Sequence, residues 1–363
     1  MCKQYGELSI DWSTTQMKFI NHKIGEGNPA YIIAEMSANH GGNIQTAKKI
    51  IKAAKDAGAD CIKIQTYTAD TMTIDNDNEY FQIHGGLWDG YKLYDLYEDA
   101  YTPWEWQKEL KDYADEIGID FLSTPFDKTS VDFLESIGVE AYKIASFELV
   151  DIPLIRYIAS KNKPIIMSTG MASLAEIEEA VNAIKSRGNN DIILLKCASA
   201  YPAITDDMNL ATIRNMAETF GVITGLSDHS MGSVGAVCAV AVGAKVIEKH
   251  FCLSRELKTP DSDFSMEPDE FEKMVKDVRQ AELSIGKVQY GLTNQETGSV
   301  VFRRSIFAIK DIKAGENLTE DNIRVIRPGY GLKPKYYDDL LGQKALGDIA
   351  RGTPIGFEMV GRQ

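Results

Sequence analysis

Short apolar runs alternate with amphipathic stretches along most of this chain. Eight runs read as strands: residues 29–36 (PAYIIAEM), 61–66 (CIKIQT), 119–124 (IDFLST), 140–146 (EAYKIAS), 163–169 (KPIIMST), 191–197 (DIILLKC), 221–227 (GVITGLS) and 244–251 (AKVIEKHF). They are rich in β-branched residues and nearly continuous in apolar character, the pattern of strands buried on both faces of a parallel sheet. Between them apolar residues recur at helical spacing. In 44–57, Ala47, Ile50, Ile51 and Ala54 fall at i, i+3, i+4 and i+7, with Asn43 placed to cap the start and Gly58 just past the end. In 268–285, Phe271, Met274, Val275 and Val278 repeat the pattern, and Pro268 stands where a first helical turn tolerates it. Further helices are predicted at 104–117, 128–137, 152–161, 173–187, 207–219 and 231–242. Eight strand–helix units predict an α/β protein built on a (β/α)8 TIM barrel. A doubly wound sheet is the alternative, but no GxGxxG follows the first strand to support it.

The barrel domain is expected to span 1–285, with a hairpin at about 7–24 plugging the barrel bottom. Residues 67–103 are far longer than an ordinary βα loop. They carry Tyr67, Tyr80, Phe81, Trp88, Tyr91, Tyr94, Tyr97 and Tyr101, the makings of a binding wall or lid, or of packing over the barrel. A polar linker follows at 286–299. Residues 300–363 then change style, with short strands and frequent turns (KAGE, RPGYG, ARGTP), and predict a small second domain.

Composition narrows the function classes. The 363 residues carry a net charge of −14, which argues against general nucleic-acid binding, a task for basic surface. No apolar run is long enough to suggest a membrane span, and the N-terminus lacks the basic and apolar regions of a secretory signal. The five scattered cysteines form no CxxC pair and predict reduced thiols in a cytoplasmic protein.

In a TIM barrel the chemistry sits at the C-terminal ends of the strands. The polar residues there are Glu35 with Asn39 and His40, Lys63 and Gln65, Ser123 and Thr124, Lys143 with Ser146 and Glu148, Ser168 and Thr169, Ser199 with Tyr201, Ser227 with Asp228 and His229, and His250. A lysine is costly to bury without a partner. Lys63 and Lys143, with neighbouring hydroxyls, would suit a phosphate and a carboxylate; the other reading is a buried salt bridge of Lys143 with Glu148 or Glu35. His229 and His250 end the last two barrel strands, close enough to share one ion. Two histidines are sparse for structural zinc and fit a labile ion such as Mn²⁺, completed by water and substrate oxygen. Otherwise they are hydrogen-bonded groups of the barrel mouth. His40 is a candidate for substrate contact, whereas His22 and His84 read as surface or loop residues. A Schiff-base aldolase using Lys63 or Lys143 is the competing enzyme class.

IIAEMSANHGGN, IKIQTYTAD, FLSTPFD, AYKIAS, MSTGM, ASAYPA, GLSDHS and EKHF together resemble the sialic-acid synthase family, and the segment with VIRPGYGL resembles the antifreeze-like (SAF, β-clip) domain that follows its barrel. The resemblance covers roughly residues 25–363. It implies a metal-dependent enzyme that joins phosphoenolpyruvate to an N-acylated amino sugar and acts as a domain-swapped homodimer. Lys63, Thr124, Lys143, Ser146, Ser168 and Ser227 would hold phosphoenolpyruvate, and His229 and His250 the metal. Glu35, Gln65, Ser199, Tyr201 and Asp261 would face the sugar, and Glu148 would lie near the reacting carbons. Arg327 would reach in from the second domain of the partner. The stretch GGLWDGYKLYDLYEDAYTPWEW is most similar to the branch that uses 2,4-diacetamido-2,4,6-trideoxy-altrose. The N-acetylneuraminate branch carries Asn where this chain has Ser199. The antifreeze-like tail alone would also suit a non-catalytic sugar-binding or ice-binding protein.

Overall fold

A computed structural model describes residues 16–361 and divides into two compact units at Gly286/Lys287. In the first unit, eight strands form one parallel sheet: β3 (Tyr31–Glu35), β4 (Cys61–Thr66), β5 (Asp120–Pro125), β6 (Tyr142–Ile144), β7 (Ile165–Ser168), β8 (Ile192–Cys197), β9 (Ile223–Asp228) and β10 (Val246–His250). The order β5-β4-β3-β10-β9-β8-β7-β6 places each strand beside its neighbour in sequence, with β10 returning to β3. β5 and β6 pack side by side at the seam, so the sheet is a nearly closed barrel. The predicted fold is therefore the observed one.

Helices follow the strands close to their expected places, including Ile44–Asp56, Trp104–Ile117 and Pro268–Ile285. Asn43 caps the first as expected, its side chain accepting from the amides of Gln45 and Thr46. The outward strand residues Ile32, Ile62, Phe121, Ile165, Leu194 and Ile247 pack with Ile50, Leu110, Leu134, Ile155 and Phe271 of these helices in the main core. No helix of the described residues is long and apolar enough to cross a membrane.

The barrel axis holds a second core, formed by inward Tyr31, Ile33, Cys61, Leu122, Ala141, Ile166, Ile193, Leu195, Ile223 and Val246. The N-terminal hairpin, β1 (Gln16–Phe19) and β2 (His22–Gly25), buries Phe19, Ile20 and Ile24 against it. The expected hairpin residues 7–15 lie outside the described region. Asp120, 4% exposed, ties the hairpin to the barrel floor. It accepts from Tyr31 Oη at 2.7 Å and from Asn21 Nδ2 at 2.8 Å, and lies 2.9 Å from His22 Nδ1. His22 is thus a surface residue, as expected, that also contacts the buried Asp120. Asp120→Ala strands the buried Tyr31 hydroxyl and is expected to cost about 2–3 kcal/mol of stability, measured by chemical denaturation.

The second unit has its own core of Ile306, Ile312, Leu318, Ile323, Leu340, Ile349, Ile355 and Val360. Its antiparallel pair is β11 (Ser305–Ala308) and β12 (Ile323–Ile326). The turn signals KAGE and ARGTP mark real turns: Gly315 and Gly352 adopt φ of +81° and +86°, which a residue without a Cβ accepts freely.

Candidate functional site

A strand's side chains alternate faces, so parity decides what enters the barrel. Two residues beyond the apolar plug, or four on β9, the inward positions turn polar: Glu35, Lys63, Thr124, Lys143, Ser168, Cys197, Ser227 and Glu248. All eight are buried. The floor of the mouth is thus a charged layer laid directly on an apolar one.

Its centre is an ion network. Lys63 Nζ lies 2.5 Å from Glu35 Oε2 and 3.7 Å from Glu248 Oε1, and donates to Thr124 Oγ1 at 3.5 Å. Lys143 Nζ donates to Ser168 Oγ at 2.7 Å and lies 3.6 Å from the same Glu248 oxygen. That oxygen also accepts from Ser227 Oγ at 3.1 Å, while Gln65 Nε2 donates to Glu35 Oε1 at 3.1 Å. Burial acts to lower the Lys63 ammonium, but Glu248 and Glu35 more than offset it and hold the group above its ordinary value. Burial prevails at Lys143, whose pKa is lowered. Burial raises the Glu35 carboxyl. Glu248 goes the other way: burial is its largest single influence, yet Lys143 and Lys63 together hold it below its ordinary value. Two ammonium groups, three hydroxyls and a shared counter-charge make a cradle for a compact anion.

His229 and His250 stand just above this layer, ring centroids 5.3 Å apart. His229 Nδ1 lies 3.1 Å from the Ala198 carbonyl, which leaves Nε2 free. His250 Nδ1 is buried without a hydrogen-bond partner. A carbonyl fixing one ring nitrogen is the usual support for a metal-binding imidazole, and an unpartnered buried nitrogen is what an ion would satisfy. Among the described residues no set of three or more His, Cys, Asp or Glu converges on one ion position. The pair therefore fits a divalent ion with two protein ligands and oxygen ligands from substrate and water.

The rim comes from the βα loops. Ser146 Oγ accepts from the Gly170 amide at 3.1 Å. A Cβ at Gly170 would sit 2.0 Å from Ser199 Oγ and 2.8 Å from Ser146 Oγ, so only glycine lets these hydroxyls converge. The Tyr201 ring packs against His229 at 4.4 Å, Phe264 at 5.1 Å and Trp88 at 5.7 Å. Trp88 is held by its indole N–H to the Pro260 carbonyl at 3.2 Å. The long aromatic segment thus does both expected jobs. Trp88 walls the mouth, while Tyr67 packs edge-on with Tyr97 and Phe126. Asp261 is buried beside the Ala38 amide (3.3 Å), and burial raises its pKa.

Several residues named from sequence do not enter the mouth. Ser123, Thr169 and Asp228 have the outward parity: Ser123 meets Thr66 Oγ1 at 2.6 Å, Thr169 donates to the Leu195 carbonyl, and Asp228 pairs with Lys249. Asn39 is bonded to Phe251 and Ser265, and both ring nitrogens of buried His40 are engaged, by Thr102 and by the Gly42 amide. Neither is free for substrate. Sequence reasoning missed Glu248. The signal was available, since Glu248 shares parity with His250 two residues on. The expected salt bridge of Lys143 forms with this carboxylate.

Among the described residues Glu148, like Asp261, has no ion pair within 4.0 Å. Its Oε2 is buried and unpartnered, and burial raises the group from 4.5 to about 7, against smaller opposing pulls from its own amide and Lys143. An acid whose pKa rises on folding binds more protons folded than unfolded between those values, so stability falls as pH climbs from about 4.5 to 7. Glu148→Gln removes this penalty. The variant is expected to melt higher than wild type at pH 8, with the gap closing at pH 5. A gap independent of pH would contradict the assignment.

Arg327, exposed, follows β12 in the second unit. The NeuB family model matches residues 50–290 and the SAF domain model residues 303–361. The chain is 50% identical over 325 residues to the pseudaminic acid synthase of Campylobacter jejuni subsp. jejuni serotype O:23/36 (strain 81-176), covering 90% of this chain and 95% of that one. It is 43% identical over 335 residues to the pseudaminic acid synthase of Helicobacter pylori (strain ATCC 700392 / 26695), covering 92% and 98%. Among solved structures, the N-acetylneuraminic acid synthetase of Leptospira borgpetersenii serovar Hardjo-bovis, in complex with citrate, superposes with a TM-score of 0.70 at 33% identity, covering 78% of this chain and 95% of that chain.

Proposed function

The chain belongs to the NeuB family, and from that membership we propose that it is a pseudaminic acid synthase. It condenses phosphoenolpyruvate with 2,4-diacetamido-2,4,6-trideoxy-altrose and water and releases phosphate by C–O cleavage. The likeness to two pseudaminic acid synthases across nearly their whole length carries this reading.

Lys63 and Lys143, with Thr124, Ser146, Ser168 and Ser227, hold the phosphate and carboxylate of phosphoenolpyruvate. They do so by fixed charges in a buried site, where such groups act with little reorganisation. His229 and His250 would hold a divalent ion, most simply Mn²⁺, which when bound supplies Lewis-acid polarisation of the sugar aldehyde. Glu35, Gln65, Ser199, Tyr201 and Asp261 orient the sugar so that its aldehyde carbon meets the methylene carbon of phosphoenolpyruvate. The C=C π pair forms the new C–C bond, and the aldehyde C=O π pair passes to its oxygen, which takes up a proton to become a hydroxyl. The positive charge left at the second carbon is where water adds. Glu148, unpaired and titrating near neutrality, takes the water proton; Glu35 is already engaged by Lys63 and Gln65. The tetrahedral adduct then expels phosphate, held by the lysines. Successive βα loops carry exposed Phe147, Val150, Met171, Leu174, Ile204 and Met231. This apolar rim supports a domain-swapped dimer in which Arg327 of the second domain reaches the sugar of the partner's site. An enzyme of this type works in the cytoplasm, its product serving cell-surface glycan or flagellin glycosylation.

The test is phosphate release from phosphoenolpyruvate with Mn²⁺ in ¹⁸O-water. It compares the altrose derivative, 2,4-diacetamido-trideoxymannose and N-acetylmannosamine. The altrose derivative should react fastest, with label in the sugar acid and none in phosphate. Preference for the manno sugars would reassign the enzyme to legionaminic or neuraminic acid synthesis. Label in phosphate overturns C–O cleavage, and no release from any sugar would favour a sugar-binding protein.

A further inference from the structure

A buried ion pair lies on the far side of the sheet from the two histidines. In the β9–β10 register Lys249 lies opposite Asp228, and each immediately precedes one of the histidines. Both side chains point outward, away from the mouth, into the layer between barrel and helices. Lys249 Nζ meets Asp228 Oδ2 at 2.7 Å, with side-chain exposures of 1% and 0%. Both groups also hold the residue after His229: Asp228 Oδ1 accepts from Ser230 N at 2.8 Å and Ser230 Oγ at 2.6 Å, and Lys249 Nζ donates to the Ser230 carbonyl at 2.5 Å. His229 is thus gripped on both sides, and the ammonium doing so belongs to the residue preceding His250. The helix Val234–Ala241 approaches so closely that a Cβ at Gly235 would lie 3.0 Å from Asp228 Oδ2.

We propose that Asp228 and Lys249 are positioning residues that lock β9 to β10 and thereby set the separation of His229 and His250 for a divalent ion. This rests on the metal reading given above. A buried ion pair adds little net stability relative to apolar replacement, yet is costly to break on one side. Its value here is geometric: strands that slip or splay at their ends would carry the two imidazoles apart.

The test is Mn²⁺ binding by the full-length, substrate-free protein, followed through the EPR signal of free Mn²⁺. The variant is Asp228→Asn with Lys249→Met, which removes both charges and keeps an acceptor for Ser230. Its metal-free melting temperature should stay within a few degrees of wild type, while its Kd for Mn²⁺ rises roughly 10- to 100-fold, the scale seen for groups that orient metal ligands. If the double variant fails to fold, Lys249→Arg, which keeps the charges paired but moves the cation, is read in the same way. An unchanged Kd overturns the clamp and leaves the metal site standing. Wild type binding Mn²⁺ no better than His229→Ala overturns the metal reading and the clamp with it.

Discussion

Lys143→Met is expected to lower kcat/KM for phosphoenolpyruvate by roughly 10²–10³-fold, the loss that follows when one preorganised charge partner of a developing anion is removed. The KM for phosphoenolpyruvate should rise and kcat fall, while the KM for the sugar should move little, because Lys143, in contact with Ser168 and Glu248, is proposed to bind phosphoenolpyruvate and not the sugar. Steady-state kinetics with each substrate varied in turn checks this. The same residue separates two chemistries. Burial lowers the Lys143 pKa, which would also favour a Schiff-base nucleophile. The proposed synthase chemistry forms no imine, so borohydride with either substrate should trap nothing on the protein. A stable adduct at Lys143 would overturn the synthase assignment.

Chelation is expected to abolish turnover and Mn²⁺ to restore it. His229→Ala and His250→Ala should each lose roughly 10³-fold in kcat, because Lewis-acid assistance contributes several kcal/mol and about 1.4 kcal/mol is a factor of ten. Neither variant should be rescued by added metal at ordinary concentrations. His250→Ala should melt close to wild type, since His250 Nδ1 has no hydrogen-bond partner to lose, whereas His229→Ala also gives up the contact with the Ala198 carbonyl. Full activity after exhaustive chelation would remove the metal from the mechanism.

The two lysine partners illustrate what neither pattern nor motif conveys. Glu248 gives one oxygen to Lys63, Lys143 and Ser227 together, and so holds two like charges in one buried site without ligand. On the proposed reading, an arriving phosphoenolpyruvate takes over those ammonium groups. The inward polar ring was legible because strand ends in a barrel carry the chemistry. Its membership was not fully legible, because Ser123, Thr169 and Asp228 are polar, terminal and of the wrong parity. Counting back from His250 by twos would have recovered Glu248. The aromatic segment marked Trp88 as a wall candidate, but nothing comparable would have paired it with Tyr201, more than a hundred residues later in the chain.

The sequence by itself determined the eight strand–helix units, the barrel and the small second domain. Hydrophobic periodicity, caps and turn glycines act over a few residues, and each names its element without knowledge of the rest. It also determined that lysines, hydroxyls and two histidines end the barrel strands. Only the tertiary structure decided which of these meet. Pairing between strands depends on stagger and parity around the closed sheet, a property of all eight strands at once. That stagger puts Glu248 between two lysines inside the barrel and, one residue later, Lys249 against Asp228 outside it.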